Sequence, residues 1–236
     1  MGELDGKVIA IAGAGGGLGP SVAAELYAAG ASLALTDVGQ ERLDELAGEL
    51  DLEDERCDCR AVDLLDEDAA RGWAEALEER FGRVDGLVHL VGGWRGGEPI
   101  ESASMADYEW LHDLLVRTVQ RTSRAFHGPL TRSGSGRFVL VSSAQAQAPE
   151  STNAAYAATK AAAETWTLAL ADSLAGTGAT ANIVVVNAIL TPAMREKNPD
   201  KDYPSFTSAE DIAAAIAYLC SDAAAKMNGK RLALYP

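Results

Sequence analysis

Several short runs in this chain are apolar on successive residues, with no polar alternation. They include KVIAIAG (Lys7–Gly13), DGLVHLVGG (Asp85–Gly93), GRFVLVSS (Gly136–Ser143) and the IVVV within ATANIVVVNAIL. A strand with one wet face alternates apolar and polar residues. A strand apolar throughout is buried on both faces, as in a parallel sheet covered by helices. Longer segments of helical composition separate these runs: LGPSVAAELYAAG, QERLDELAGEL, DEDAARGWAEALEERFG, a long helix within Met105–His127, one opening at Asn153, and SAEDIAAAIAYLCSD. SLALTD (Ser32–Asp37), CRAVDL and KRLALYP read as further strands. Strand–helix alternation along the whole chain predicts an α/β fold: a Rossmann-like, doubly wound parallel sheet of about seven strands with helices on both faces. No linker, repeat or low-complexity tract divides residues 1–236, so one domain is expected.

Composition narrows the partners. Lys and Arg number 20 against 35 Asp and Glu, a formal net charge of −15. Such a surface repels phosphate backbones, which argues against nucleic acid. Three cysteines, Cys57, Cys59 and Cys220, and an N-terminus without a targeting layout lead to the expectation of a reducing cytoplasm. Cys57 and Cys59 form C-x-C in a strand and should share a face. No further ligands accompany them, so no metal is expected. No apolar run reaches the length of a membrane span.

AGAGGGLG (Ala12–Gly19) joins the first strand to the first helix. Glycine permits positive φ and lets the backbone approach a pyrophosphate, while the helix N-terminus offers unpaired N–H groups. Asp37 ends the second strand, where a carboxylate can bind an adenosine ribose and repel a 2′-phosphate. That favours NAD over NADP. Arg42, in the following helix, reads as a solvated surface charge. Asp63 ends the third strand, either near an adenine or as a cap for the acidic helix after it. The loops Trp94–Ser104 and Thr191–Ser205 follow strand C-terminal ends, where ligands bind in this fold class, and are expected to be the mobile ones.

NAAYAATKAAAE (Asn153–Glu164) is an alanine-rich helix carrying Tyr156 and Lys160 at i and i+4, on one helix face. Upstream, VLVSSAQA ends a strand at Ser143. In this order the sequence resembles the short-chain dehydrogenase/reductase family over nearly its whole length, as a divergent member. The family's T-G-x-x-x-G-x-G is similar to residues 12–19, its acidic NAD determinant to Asp37, its adenine-contacting aspartate to Asp63, its Y-x-x-x-K to Tyr156 and Lys160, and its active-site serine to Ser143. The resemblance implies hydride transfer between a nicotinamide cofactor and a carbonyl or secondary alcohol. Tyr156 is then the general acid/base, Lys160 lowers its pKa and holds the nicotinamide ribose, and Ser143 holds the substrate oxygen. It implies cofactor contacts from Gly13, Gly17, Leu18, Gly19, Asp37, Asp63, Leu64, Gly92, Tyr156, Lys160, Ile189 and Thr191. It also implies a homodimer or homotetramer through Met105–His127 and Asn153–Gly176, with Ala161, Ala162, Trp166 and Leu170 available to pack.

The sequence departs from the family at several points. Ala12 replaces the threonine of the glycine signature. The family's N-N-A-G reads His89-Leu90-Val91-Gly92, where His89 is expected to be a satisfied buried histidine. Leu115 stands at the helix asparagine that kinks that helix and anchors a water beside the lysine. Leucine is expected to do neither, which turns attention to His112 and Arg117 as nearby polar groups. The family's P-G turn is missing between Asn187 and Thr191. These losses support an alternative: a degenerate, non-catalytic or weakly active dinucleotide-binding protein working through subunit or partner contacts. A bulky polycyclic or carrier-bound substrate, lined by Trp94, Arg95 and Met194, is a second enzymatic reading.

Overall fold

The computed structural model describes residues 2–235 and contains a seven-stranded parallel sheet in the order β3-β2-β1-β4-β5-β6-β9. Its strands are β1 (Val8–Ala12), β2 (Ser32–Asp37), β3 (Cys57–Ala61), β4 (Gly86–His89), β5 (Arg137–Ser143), β6 (Thr180–Val186) and β9 (Arg231–Ala233). The helices between them are α1 (Gly19–Ala28), α2 (Gln40–Glu49), α3 (Glu67–Phe81), α4 (Met105–His112), α5 (Thr118–Ser133), α6 (Ala154–Ser173), α7 (Pro192–Lys197) and α8 (Ala209–Cys220). Chain order reverses between β1 and β4, which opens a crevice at the carboxyl ends of the strands.

The uniformly apolar strands are the buried ones: every residue of β1, β5 and β6 is buried. Their alternate side chains feed two cores. Ile9, Ile11, Val88, Val139 and Val184 pack under α1 and α8. Ala10, Leu87, Phe138, Leu140 and Ile183 pack under α3, α5 and α6, where Trp73 and Phe126 meet edge to face at 4.9 Å. At the opposite end from the crevice, buried Asp85 accepts from Val8 N at 3.0 Å and Arg83 Nε at 2.7 Å, tying β1 to the start of β4.

Three elements depart from expectation. The third strand begins at Cys57 rather than Cys59, because Cys57 is in register with Leu33 on β2. Cys57 and Cys59 share a face, their sulfurs 3.6 Å apart. The segment ATANIVVVNAIL breaks at Asn187. β6 ends at Val186, and β7 (Ala188–Leu190) leaves the sheet to pair with β8 (Phe206–Ser208). The loop after it is not structureless: it holds α7, capped by the Thr191 side chain. No helix among the described residues is long and apolar enough to cross a membrane.

Candidate functional site

The crevice holds a cavity of about 730 Å³ that collects residues from distant parts of the chain. Gly13, Gly17, Leu18, Asp37, Asp63, Leu64, Gly92, Ser143, Tyr156, Lys160, Ile189 and Thr191 all line it; of the expected set, Gly19 does not. Lining residues that sequence reasoning missed include Val38, Leu65, Leu114, Gln145, Asn153 and Asn187. Val38, Gln145 and Asn187 sit just past strand ends, and that position was the only signal available for them.

The glycine loop is shaped by contacts that a side chain would destroy. Gly13 has φ +83°, and a Cβ there would lie 2.7 Å from the Val91 amide nitrogen. A Cβ on Gly19 would lie 1.8 Å from the Ala14 carbonyl oxygen, so Gly19 serves the turn itself rather than the cavity wall. Ala12 brings no hydroxyl, yet the loop is still stitched to β2: Gly13 N and Ala14 N both donate to the Thr36 carbonyl, at 2.9 and 3.0 Å. α1 begins with Pro20 in its first turn, no side-chain cap and no acidic residue there. An open cradle below an uncapped helix N-terminus fits a pyrophosphate.

Asp37 sits beside this cradle and accepts from Gly15 N at 3.0 Å and Val38 N at 2.8 Å. These bonds fix the carboxylate while leaving lone pairs for ribose hydroxyls. Arg42 is on the surface, paired with Glu45 at 3.1 Å and Glu49 at 3.6 Å. Asp63 accepts from Leu65 N at 2.8 Å and lines the cavity. The cap of the acidic helix is Asp66, which accepts from Asp68 N and Ala69 N, so the capping alternative for Asp63 falls away.

At the far end of the cavity, β5 delivers Ser143 and α6 delivers Tyr156 and Lys160. The Ser143 hydroxyl caps a short turn by accepting from Gln145 N at 3.3 Å. Lys160 is buried, donates to the Val141 carbonyl at 3.1 Å and lies 5.9 Å from the centre of the Tyr156 ring.

Residues 13–234 match the family described as enoyl-(acyl carrier protein) reductase. The chain is a short-chain dehydrogenase/reductase. It is 28% identical to the 7alpha-hydroxysteroid dehydrogenase of Escherichia coli, over 98% of this chain and 93% of that one. It is 33% identical to a short chain dehydrogenase of Pseudocercospora fijiensis over 75% of this chain, a match that spans only 58% of that protein. A short-chain type dehydrogenase/reductase from Mycobacterium ulcerans superposes with a TM-score of 0.89 at 25% identity, covering 98% of this chain and 89% of that one. Oxidoreductase activity of the short-chain type, on small molecules, follows from this membership.

The departures of this chain from its family now have a geometry. Leu115 does not straighten the helix: Asp113–Arg117 forms a π-helical turn between α4 and α5. The π-helical turn therefore does not need an asparagine side chain at this position. Leu115 is buried and absent from the cavity wall, which α4–α5 reaches through Leu114 and Thr118. His112 and Arg117 are no substitutes. Both lie beside Asp113, at 3.8 and 3.0 Å, away from the cavity. Of the bulky-substrate trio only Trp94 lines the cavity; Arg95 pairs with Asp107 and stacks on Trp110 at 4.0 Å, and Met194 does not line the wall.

His89 is wholly buried, as expected; neither ring nitrogen makes a well-aligned hydrogen bond among the described residues, and the Thr118 backbone is the polar group that acts on the ring. Burial, reinforced by the Lys160 ammonium, pushes its pKa down to about 3, so the ring is neutral. Burial pushes Lys160 down to about 8, opposed by the Glu164 carboxylate. Burial raises Tyr156 above the usual phenol value, and Ser143 opposes that. In the protein alone, burial and the Ser143 hydroxyl are the groups that act on the Tyr156 phenol, and burial prevails.

Proposed function

We propose that this chain is an NAD-dependent oxidoreductase that interconverts a carbonyl and a secondary alcohol on a small molecule, with Tyr156 as general acid/base. One observation carries the reading: the glycine cradle, the fixed Asp37 carboxylate, and Ser143, Tyr156 and Lys160 line a single cavity. Gly13, Gly17 and Leu18 would hold the pyrophosphate, with Gly19 shaping their turn. Asp37 would hold the adenosine ribose, Asp63 and Leu64 the adenine side, and Gly92, Ile189 and Thr191 the nicotinamide half. A bound nicotinamide supplies or accepts the hydride.

Ser143 holds the substrate oxygen, and Tyr156 gives that oxygen its proton in reduction or removes it in oxidation. Lys160 would donate to the nicotinamide ribose of a bound cofactor and stabilise the phenolate there. The preference for NAD rests on Asp37, whose charge repels a 2′-phosphate, and on Arg42, which is occupied by Glu45 and Glu49. Three free thiols support a reducing cytoplasm. Assembly as a homodimer or homotetramer uses α5 and α6.

The test is calorimetric titration with NADH and NADPH beside turnover on a carbonyl panel. NADH should bind more tightly, and Tyr156→Phe should keep that binding while turnover falls about 100-fold or more. Tighter NADPH binding would defeat the Asp37 argument. Cofactor binding without any Tyr156-dependent turnover favours the non-catalytic alternative, whose support is Leu115 in place of the family asparagine.

A further inference from the structure

The two ends of the cavity differ in charge. Asp37 and Asp63 bring negative charge to the ends of β2 and β3, and Lys160 brings positive charge beside Tyr156. No other Asp, Glu, Lys, Arg or His lines the wall. Around Ser143 and Tyr156 it is made by Gly93, Trp94, Leu114, Gln145 and Asn153. The cations of neighbouring segments are turned elsewhere. Arg95 pairs with Asp107 at 2.9 Å and stacks on Trp110, while Arg195 and Lys197 of α7 are exposed and line no part of it. A phosphate or carboxylate on the substrate would be desolvated there without a partner of its own, which is costly.

Gln145 offers a neutral contact instead. Its backbone N donates to Ser143 Oγ at 3.3 Å, which locks it beside the serine. Its side-chain Oε1 accepts from Glu150 N at 3.2 Å. That bond fixes the amide: the oxygen is taken, and Nε2 is left as a donor with no partner among the described residues. Glu150 also accepts from Asn153 Nδ2 at 3.5 Å, so one residue holds both amides of the wall. Trp94 adds a flat apolar surface beside them, close enough to Gly96 that a Cβ there would lie 3.4 Å from its ring.

We propose that Gln145 is a specificity-determining residue: its amide donates to a second, uncharged oxygen on the carbon next to the reacting one, so the substrate is a neutral α-hydroxy ketone and the product its vicinal diol. An oxygen held by Ser143 brings the substituent of the adjoining carbon, rather than a remote one, nearest to the amide two residues on. In reduction the carbonyl carbon gains the hydride of NADH and its oxygen gains the Tyr156 proton, leaving NAD. The neighbouring hydroxyl keeps all its bonds and serves recognition alone.

This proposal rests on the hydride-transfer reading above, so its first readout needs no turnover. In isotope-labelled protein with NAD added, the Gln145 side-chain amide resonance is assigned by its loss in Gln145→Glu. It should move on titration with butane-2,3-diol and stay in place with butan-2-ol. An amide that ignores both alcohols, or answers both equally, overturns the proposal.

The second readout is NADH oxidation. kcat/KM for acetoin should exceed that for butanone about tenfold, the worth of one hydrogen bond. Gln145→Leu and Gln145→Glu should each lower that ratio about tenfold. Gln145→Glu keeps the oxygen that Glu150 N needs and removes only the donor. A ratio that survives in Gln145→Glu makes the residue structural and overturns the proposal. Dihydroxyacetone should be preferred over dihydroxyacetone phosphate, and the reverse order overturns the uncharged class. A Gln145→Leu that fails to fold leaves Gln145→Glu to decide. A wild type whose amide answers the diol while no ketone oxidises NADH defeats the hydride-transfer reading and leaves the subsite standing.

Discussion

His89 closes β4 at the centre of the sheet, on the Leu87 side that faces α5 and α6. Its neutral, desolvated ring has a consequence for acid stability. The folded-state pKa of about 3 lies below the ordinary histidine value, so between these values the unfolded chain binds a proton that the native state refuses. Stability from this group is complete above about pH 6.5 and is lost as pH falls, by about 1.4 kcal/mol per pH unit through that window. Urea melts from pH 6.5 to pH 4 should show a shallower loss for His89→Asn than for wild type. Equal slopes would mean that the ring is not desolvated in solution. The motif alone could not reveal this, because H-L-V-G shows a buried position but not whether a partner reaches it.

Two element ends separate turn geometry from side-chain chemistry. Gly19→Ala places a Cβ against the Ala14 carbonyl, so the loop must open. NADH binding should collapse even though Gly19 does not line the cavity. A variant that binds normally would show the turn to be adaptable. Asp66→Ala removes the cap of α3 on an exposed surface and should cost about 1 kcal/mol in thermal melts with cofactor binding intact. The segment from α4 to α5 shows where pattern reading ran out. Its composition marked a helix within Met105–His127, and the π-helical turn at Asp113–Arg117 left no signature in residue type. The turn packs against α6, and residue type alone does not mark it.

Across the whole molecule, α5 and α6 carry a groove of about 500 Å³ whose walls include Arg124, His127, Trp166 and Ala169. Trp166 is held there by its Nε1 donating to Ser123 Oγ at 2.9 Å. Of the four residues expected to pack in an interface, Ala162 is exposed, Ala161 and Trp166 are half-buried, and Leu170 is already in the core. If copies of the chain meet through this face, Trp166→Arg should convert the wild-type oligomer to monomer in sedimentation velocity. A monomeric wild type would sink the oligomer reading.

The sequence determined the architecture and the composition of the site. Continuous apolar strands force a covered parallel sheet, and such a sheet brings the glycine loop, Asp37, Ser143 and Tyr156 to one end because all strands point the same way. Tertiary structure alone decided how charge and hydrogen bonds are satisfied there. The sheet registers, the break at Asn187 and the meeting of α6 with β9 pair Glu164 with Arg231 and desolvate His89 and Lys160. Those energies depend on which residues from distant segments come within a few ångströms, and no local pattern in the chain encodes that distance.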